Sequence, residues 1–378
     1  MMLRRARKAR KVRRIRKRWI ALACGLLLVV PIVSYVQALL YPGNASFSVR
    51  TVEWVRDHGA GGIIDAVETW KYSRQQPAPT GVPSDTTAPI AVPVPTARRT
   101  AAALPTVNLL PGVPALPQEG AWTVARQSKS GTPLLWATWF RADPAHLPVS
   151  VAAVVIPRAA DRLTLMPGTR EPLVGMPSRG GYSVPAADRS KLVATFNAGF
   201  KLKDSHGGWW TLASPAVPLV DGRASLVIHR DGSADVGTWN QTVRMTRDVV
   251  AVRQNLDQVI VDGRIVGGLT TNANSRWGTL RSQFQYTWRS GLGTDAHGNL
   301  IYVAGNKLTL ATLAAAMHQA GIVQGMELDI HSAMVSFAIE QPGPNGTVTG
   351  KRLLDSMNSP TNRYLVDDQR DFFYVTTK

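Results

Sequence analysis

The chain has 378 residues, a single cysteine, and 43 Lys/Arg against 25 Asp/Glu, a formal charge of +18. Spread evenly, that charge would point to nucleic acid. Eleven of the basic residues, however, fall within residues 1–18, which hold no acid, leaving 32 basic against 25 acidic residues and a balance of only +7. The distribution argues for no nucleic acid partner, and the lone Cys24 excludes an intrachain disulfide and a thiolate metal site.

The basic tail, residues 1–18, leads into Trp19–Tyr41, which reads WIALACGLLLVVPIVSYVQALLY, 23 uncharged residues with an aromatic at each end. Roughly 20 apolar residues cross a bilayer, and Lys/Arg stay on the cytoplasmic side. The pattern predicts one transmembrane helix over 19–41, with the N-terminus cytoplasmic and the rest of the chain outside. Pro31 is tolerated by a helix in lipid. A cleaved signal peptide is the rival, with Val36-Gln37-Ala38 before the cut, but its apolar core would be shorter than this one.

Residues 42–76 set Val52, Val55, Ile63, Ile64 and Val67 near helical spacing, interrupted by Gly59, Gly61 and Gly62. This predicts a juxtamembrane helix. Residues 77–118 hold ten prolines between Pro77 and Pro117, and the composition predicts an extended linker that holds a domain away from the membrane.

The folded domain is expected over 119–378. Short apolar runs recur in it, among them LLWATWFRA, VSVAAVVIP, KLVATFNAGF, NLIYVAGN and DFFYVTT. Asp221-Gly222, Asp231-Gly232 and Asp262-Gly263 are hairpin signals between such runs. One helix is expected over LATLAAAMHQA, capped by Thr309, with Leu310, Leu313, Ala314 and Met317 as its apolar stripe and Gly321 as its stop. The fold class is α+β, with mixed or antiparallel sheets and a few packed helices.

Three stretches could carry chemistry. In Phe196-Asn197-Ala198-Gly199-Phe200 an Asn at a strand end offers its amide to a substrate, or else bonds its own backbone as a turn former. Trp209 and Trp210, which follow, could stack on a sugar or sit in the core. Arg289 opens the second stretch, RSGLG; a guanidinium grips phosphate oxygens in pairs, and Arg276 and Arg281 precede it in a long polar segment. In the third, MELDIH, Glu327, Asp329 and His331 alternate with apolar residues, so a regular strand would put them on one face, about 7 Å apart. Two carboxyls near an Arg suit acid–base or nucleophilic work. No HxH or HExxH spacing supports a metal, and none is expected; nor is a cofactor.

Taken in order, FNAGF (196–200), RSGLG (289–293), LTLATLAAAMHQAG (308–321) and ELDIHS (327–332) resemble the phosphodiester glycosidase family, over about Leu192–Lys378. The resemblance implies hydrolysis of a sugar-1-phosphodiester, with Asn197, Arg289 and Asp329 as the positions carried over. It also resembles a membrane-anchored bacterial branch. Where the family has a Gly-rich acidic loop, this chain has Ile330 and His331, so the backbone there is expected to approach a ligand less closely. The expected function is therefore an extracytoplasmic, membrane-anchored hydrolase acting on envelope glycans. Its partners would be the membrane and a carbohydrate phosphodiester. The alternative is a non-catalytic glycopolymer-binding or scaffolding protein, in which Trp209 and Trp210 matter more than Asp329.

Overall fold

The computed structural model describes residues 29–378 except 42, 84, 87–102, 160, 174–177, 179, 213, 272–274 and 279–282. The basic tail, Cys24, the first part of the expected span and Arg281 thus lie outside the described residues. By contacts the chain divides into two compact units, Met1–Ala66 and Val67–Lys378.

In the first unit, helix α1 covers residues 29–40 and helix α2 Phe47–Val55. Ser46 caps α2 by accepting from the Val49 amide. Arg50 ties the intervening turn, donating from Nε to Ala45 O at 2.8 Å and from Nη2 to Gly43 O at 2.7 Å. After α2 the chain makes a wide turn over Arg56–Ala60, where Gly59 has a φ of 82°, and enters helix α3, Gly61–Ser73. The expected juxtamembrane helix is thus two helices, broken where a left-handed backbone needs a glycine. Among the described residues no helix is long and apolar enough to cross a membrane. Of the expected span only residues 29–41 are described, and Val29, Val30, Ile32, Val33, Val36 and Leu40 are all exposed.

The second unit is built on three sheets, every strand pair in them antiparallel. The large sheet runs β1 (Thr123–Gln127), β2 (Pro133–Arg141), β3 (Ser150–Ile156), β14 (Leu300–Leu308), β13 (Thr287–Thr294), β15 (Gln324–Ile330), β11 (Gln258–Val261) and β12 (Arg264–Ile265). A second has the order β17 (Val348–Arg352), β16 (Phe337–Pro342), β5 (Leu192–Asn197), β18 (Phe372–Thr377) and β4 (Asp161–Met166). The third is β7 (Ser214–Val217), β6 (Trp209–Thr211), β10 (Val249–Gln254), β8 (Ala224–His229) and β9 (Ala234–Thr238). A one-turn helix, α4 (Leu202–Ser205), follows β5, and helix α5 (Leu310–Gln319) joins β14 to β15.

The large sheet is covered on both faces, which is why its strands read as unbroken apolar runs. Along β3, Ala152, Val154 and Ile156 face the central core, where all three sheets meet, while Val151, Ala153 and Val155 face α5. Phe196, Phe337, Phe373 and Tyr302 pack together in that central core at centroid distances of 4.9–5.5 Å, Phe196 stacking on Phe337. Helix α5 keeps its expected cap, Thr309 accepting from Thr312 N, and its stripe of Leu310, Leu313, Ala314 and Met317 is fully buried.

The linker differs from its expectation. Residues 103–118 lie on the domain: Val107 enters the core beside α5, Asn108 N donates to Gln319 O, and Trp122 Nε1 donates to Pro105 O at 2.7 Å. Farther on, Arg141 bonds both Pro114 O and Glu119. Upstream, Pro77 and Pro83 are buried and Leu147 N donates to Pro79 O. Proline-rich composition favours an extended chain, and an extended chain can lie on a surface as readily as it can bridge a gap. The folded region therefore begins before Glu119.

Candidate functional site

The motifs of the resemblance meet in the structure: Asp329 N donates to Ala198 O, Asn197 Nδ2 donates to Ser290 Oγ, and Met317 of α5 lies against Gly291. Strand β13 carries RSGLG, and its glycines are explained by packing: a Cβ on Gly291 would come within 2.4 Å of Met317 Sδ, and one on Gly293 within 2.3 Å of Ile322 Cγ2. These glycines let α5 and the turn after it press onto the strand.

Arg289 lies under that packing and is fully buried. Its Nη1 donates to Glu327 Oε1 at 2.6 Å, Nε to Leu308 O at 2.8 Å and Nη2 to Gln285 O at 3.3 Å. Glu327 is equally enclosed, with no exposure of either side chain. Burial pushes the Glu327 carboxyl up to about 7, against the pull of Arg289. This pair is a strut inside the sheet, so the expectation that Arg289 grips a substrate phosphate is corrected by its burial.

The expected single face of Glu327, Asp329 and His331 is also corrected. Between β13 and β15 the register shifts: Gly291 lies opposite Glu327 but Arg289 opposite Ile330, so three residues of one strand face four of the other. Such a bulge breaks the two-residue alternation. Glu327 therefore turns to Arg289, while Asp329 leaves the strand face and accepts from Arg370 Nη2 at 2.8 Å and from its neighbour Ile330 N at 2.9 Å. His331 lies past the strand end with a φ of 76°. That is a conformation glycine favours, so the backbone bends here as a glycine loop would, despite the side chains of Ile330 and His331. The His331 ring bonds Thr287 Oγ1 at 3.1 Å and stacks on Tyr72 at 5.1 Å.

Asn197 is saturated within the protein. Its Nδ2 donates to Ala198 O and Ser290 Oγ, and its Oδ1 accepts from Tyr302 OH and Ser336 N. It pins the end of β5 to β13 and β16, the turn-former role rather than the substrate-facing one. Gly199 is needed for a close approach: a Cβ there would lie 2.9 Å from Asn255 Cγ. Trp209 is fully buried in the central core and Trp210 packs beside Val243 and Leu219, so the two do not form an exposed sugar platform. Arg276 pairs with Asp257 at 2.7 Å on the surface and covers the Trp277 ring.

What gathers around Asp329 includes residues that the sequence reading missed. Arg370, at the entry to β18, donates from Nη2 to both Asp329 and Gly199 O, the latter at 3.1 Å. Next to it Asp371 accepts from Arg253 Nε at 2.6 Å, and Arg253 Nη2 donates to Phe200 O at 2.6 Å. Asn255 Nδ2 donates to Glu327 O at 2.5 Å. Glu171 accepts from Leu202 N at 3.2 Å, and burial raises its carboxyl, partly offset by Arg370. Two guanidiniums thus hold two successive carbonyls of the FNAGF turn, and one of them also holds Asp329. The signal was present in Arg370-Asp371 ahead of FFYV and in Arg253 at the end of an apolar strand, where buried charge calls for a partner.

Asp329 and Arg370 differ from the Arg289–Glu327 strut in one respect: each side chain keeps 11% of its surface open to solvent. A carboxylate paired with a guanidinium, with part of that guanidinium at the surface, can assist a displacement at a carbon bearing an anionic leaving group. Among the described residues no three His, Cys, Asp or Glu side chains converge to hold a metal ion.

No protein-family model and no curated protein matches the chain. Among solved structures it is similar to the catalytic domain of zebrafish N-acetylglucosamine-1-phosphodiester alpha-N-acetylglucosaminidase, auto-inhibited by its pro-peptide. The identity is 16% and the TM-score 0.42, over 66% of this chain and 85% of that one. A hypothetical protein from Synechocystis is similar at 13% identity and TM-score 0.39, over 66% of this chain and 63% of that one. Neither likeness bears on individual residues.

Proposed function

We propose that the protein is an extracytoplasmic, membrane-anchored hydrolase that cleaves the C1–O bond of a sugar-1-phosphodiester in envelope glycans. The observation that carries the reading is the Asp329–Arg370 pair, partly open and fixed to the FNAGF turn, at the place where the ordered motifs converge. Arg370 takes the phosphate-holding role that the sequence alone assigned to Arg289. As the C1–O bond breaks, the electron pair leaves on the phosphate monoester, and Arg370 neutralises it. Asp329 either bonds to C1 itself or accepts the proton of the attacking water, and the anomeric configuration of the released sugar distinguishes the two. A phosphate monoester is a good leaving group, so no strong general acid is required of the neighbouring residues.

The binding-module alternative leaned on Trp209 and Trp210; Trp209 is fully buried and Trp210 half-buried against Leu219 and Val243, which removes its main support. The test is release of reducing sugar from a panel of sugar-1-phosphodiesters by the full-length protein. Asp329→Ala should reduce the rate by roughly 10²–10⁴-fold, the range for a group engaged in the transition state. No release from any member, or release that survives Asp329→Ala, would overturn the assignment.

A further inference from the structure

Helix α3 has two unlike faces. Glu68, Thr69 and Tyr72 face the domain: Glu68 lies 3.7 Å from His331 Nε2, Tyr72 stacks on the His331 ring, and Thr69 Oγ1 accepts from Gln285 Nε2 at 3.2 Å. At 100° per residue, Val67 and Trp70 point the opposite way. They are 55% and 59% exposed. One turn earlier Ile63, 65% exposed, continues the same line at helical spacing. Lys71 and Arg74 accompany it, Arg74 covering the Trp70 ring at 4.5 Å.

This stripe is not isolated in the chain. Eighteen large apolar residues are exposed among the described ones, and ten of them fall within residues 29–70. Six of those ten, Val29 to Leu40, belong to the 23-residue uncharged run that follows the basic tail, and Phe47, Ile63, Val67 and Trp70 come after it. Aliphatic side chains, an indole and flanking cations on one helical face match the composition of helices that lie in the interfacial layer of a bilayer. The inner face of the same helix rests on His331, two residues from Asp329.

We propose that the Val67–Trp70 face of α3 lies in the outer surface of the membrane, and that the neighbouring site therefore acts on a sugar phosphate carried by a lipid. The substrate half rests on the hydrolase reading above; the surface half does not. A headgroup projecting from the bilayer would reach the edge of the domain at His331, and a soluble polymer would have no such preference.

The test uses the full-length protein in phosphatidylcholine–phosphatidylglycerol vesicles, in a Cys24→Ser background. An environment-sensitive dye is placed at Trp70→Cys or, as a control, at the exposed Val366→Cys. Lipids with a quencher high on the acyl chain should quench the dye at 70 and leave that at 366 unchanged. Equal quenching at both positions overturns the surface assignment, whatever the activity. Shielding at 70 without lipid quenching marks a protein partner or a second copy, and overturns it too. In parallel, a long-chain and a water-soluble sugar-1-phosphodiester are offered to wild type and to Val67→Asn/Trp70→Gln. The variant should lose about tenfold on the long-chain substrate in vesicles, the equivalent of one buried aliphatic side chain, and nothing on the soluble one. Equal loss on both substrates rejects the lipid-borne substrate. Quenching at 70 with no hydrolysis of either substrate upholds the surface and removes the hydrolase reading on which the substrate half depends.

Discussion

Replacing Arg289 by Met tests whether the buried pair is a strut. The change removes three donors and leaves Glu327 Oε1, Leu308 O and Gln285 O without them, in a place with no solvent exposure. Breaking a buried pair by removing one partner costs roughly 3–5 kcal/mol, because the other charge stays buried. Glu327 has an escape: its carboxyl already sits near 7, held down only by Arg289. Without Arg289 its pKa rises further, so the neutral acid is the form the folded state keeps. The penalty must therefore be smaller at pH 5 than at pH 8, where deprotonation favours the unfolded chain. Arg289→Met/Glu327→Leu removes both charges and should recover about 2–3 kcal/mol relative to the single variant at pH 8, since well-packed apolar replacements of buried pairs are close to neutral. Urea unfolding of the full-length protein in detergent, followed by tryptophan fluorescence at the two pH values, measures all three. A single-variant penalty under about 1 kcal/mol, or one that is the same at both pH values, would refute the argument. So would a double variant no more stable than the single one.

Asp161, at the start of β4, has both carboxylate oxygens buried without a hydrogen-bond partner, and burial lifts its pKa to about 8. A raised carboxyl destabilises the fold progressively as pH climbs from near 4 to near 8. Asp161→Asn should thus stabilise by an amount that grows over that range, on the order of 4 kcal/mol at pH 7 as an upper bound, while a thermal shift equal at pH 4 and pH 8 would contradict it. Gly199→Ala drives a methyl into Asn255 and should displace the FNAGF turn that holds Arg370, lowering sugar release more than stability; unchanged kinetics would separate the turn from the site. Trp209→Ala should lower stability by roughly 3–5 kcal/mol and Trp210→Ala by clearly less in the same denaturation assay, whereas equal small losses would contradict the core assignment of Trp209.

The elements legible in the sequence were those written in local chemistry. Thr309 and Gly321 bound α5 because capping depends on a few adjacent residues, and Asp231-Gly232 and Asp262-Gly263 close the β8–β9 and β11–β12 hairpins where expected. Apolar runs located most of the strands. What pairing across distance decides stayed hidden. The bulge opposite Arg289 depends on how β13 meets β15, and it redirects Glu327, Asp329 and His331 to three separate partners. Asn197 and Arg289 looked like ligands because polar groups at strand ends often are, yet each is fully engaged within the protein. The charges around Asp329 come from β10, the segment after β4 and the entry to β18, far apart in sequence, and no spacing rule links them.

The order of strands in the large sheet also sets when this protein can fold. Strand β3 pairs with β14, so Val155 waits for Ile301. Until β14 leaves the ribosome, β1, β2 and β3 can form only a three-stranded meander with one long apolar edge. Residues 103–118 meet α5 later still, since their cover includes Gln319 and Gly321. The N-terminal portion of the domain must therefore be kept from pairing wrongly while some 150 further residues are made, a condition that slows folding and exposes sheet edges. In cells this protein should depend on a holding chaperone while it folds. Truncation before β14 should yield aggregates rather than a smaller domain.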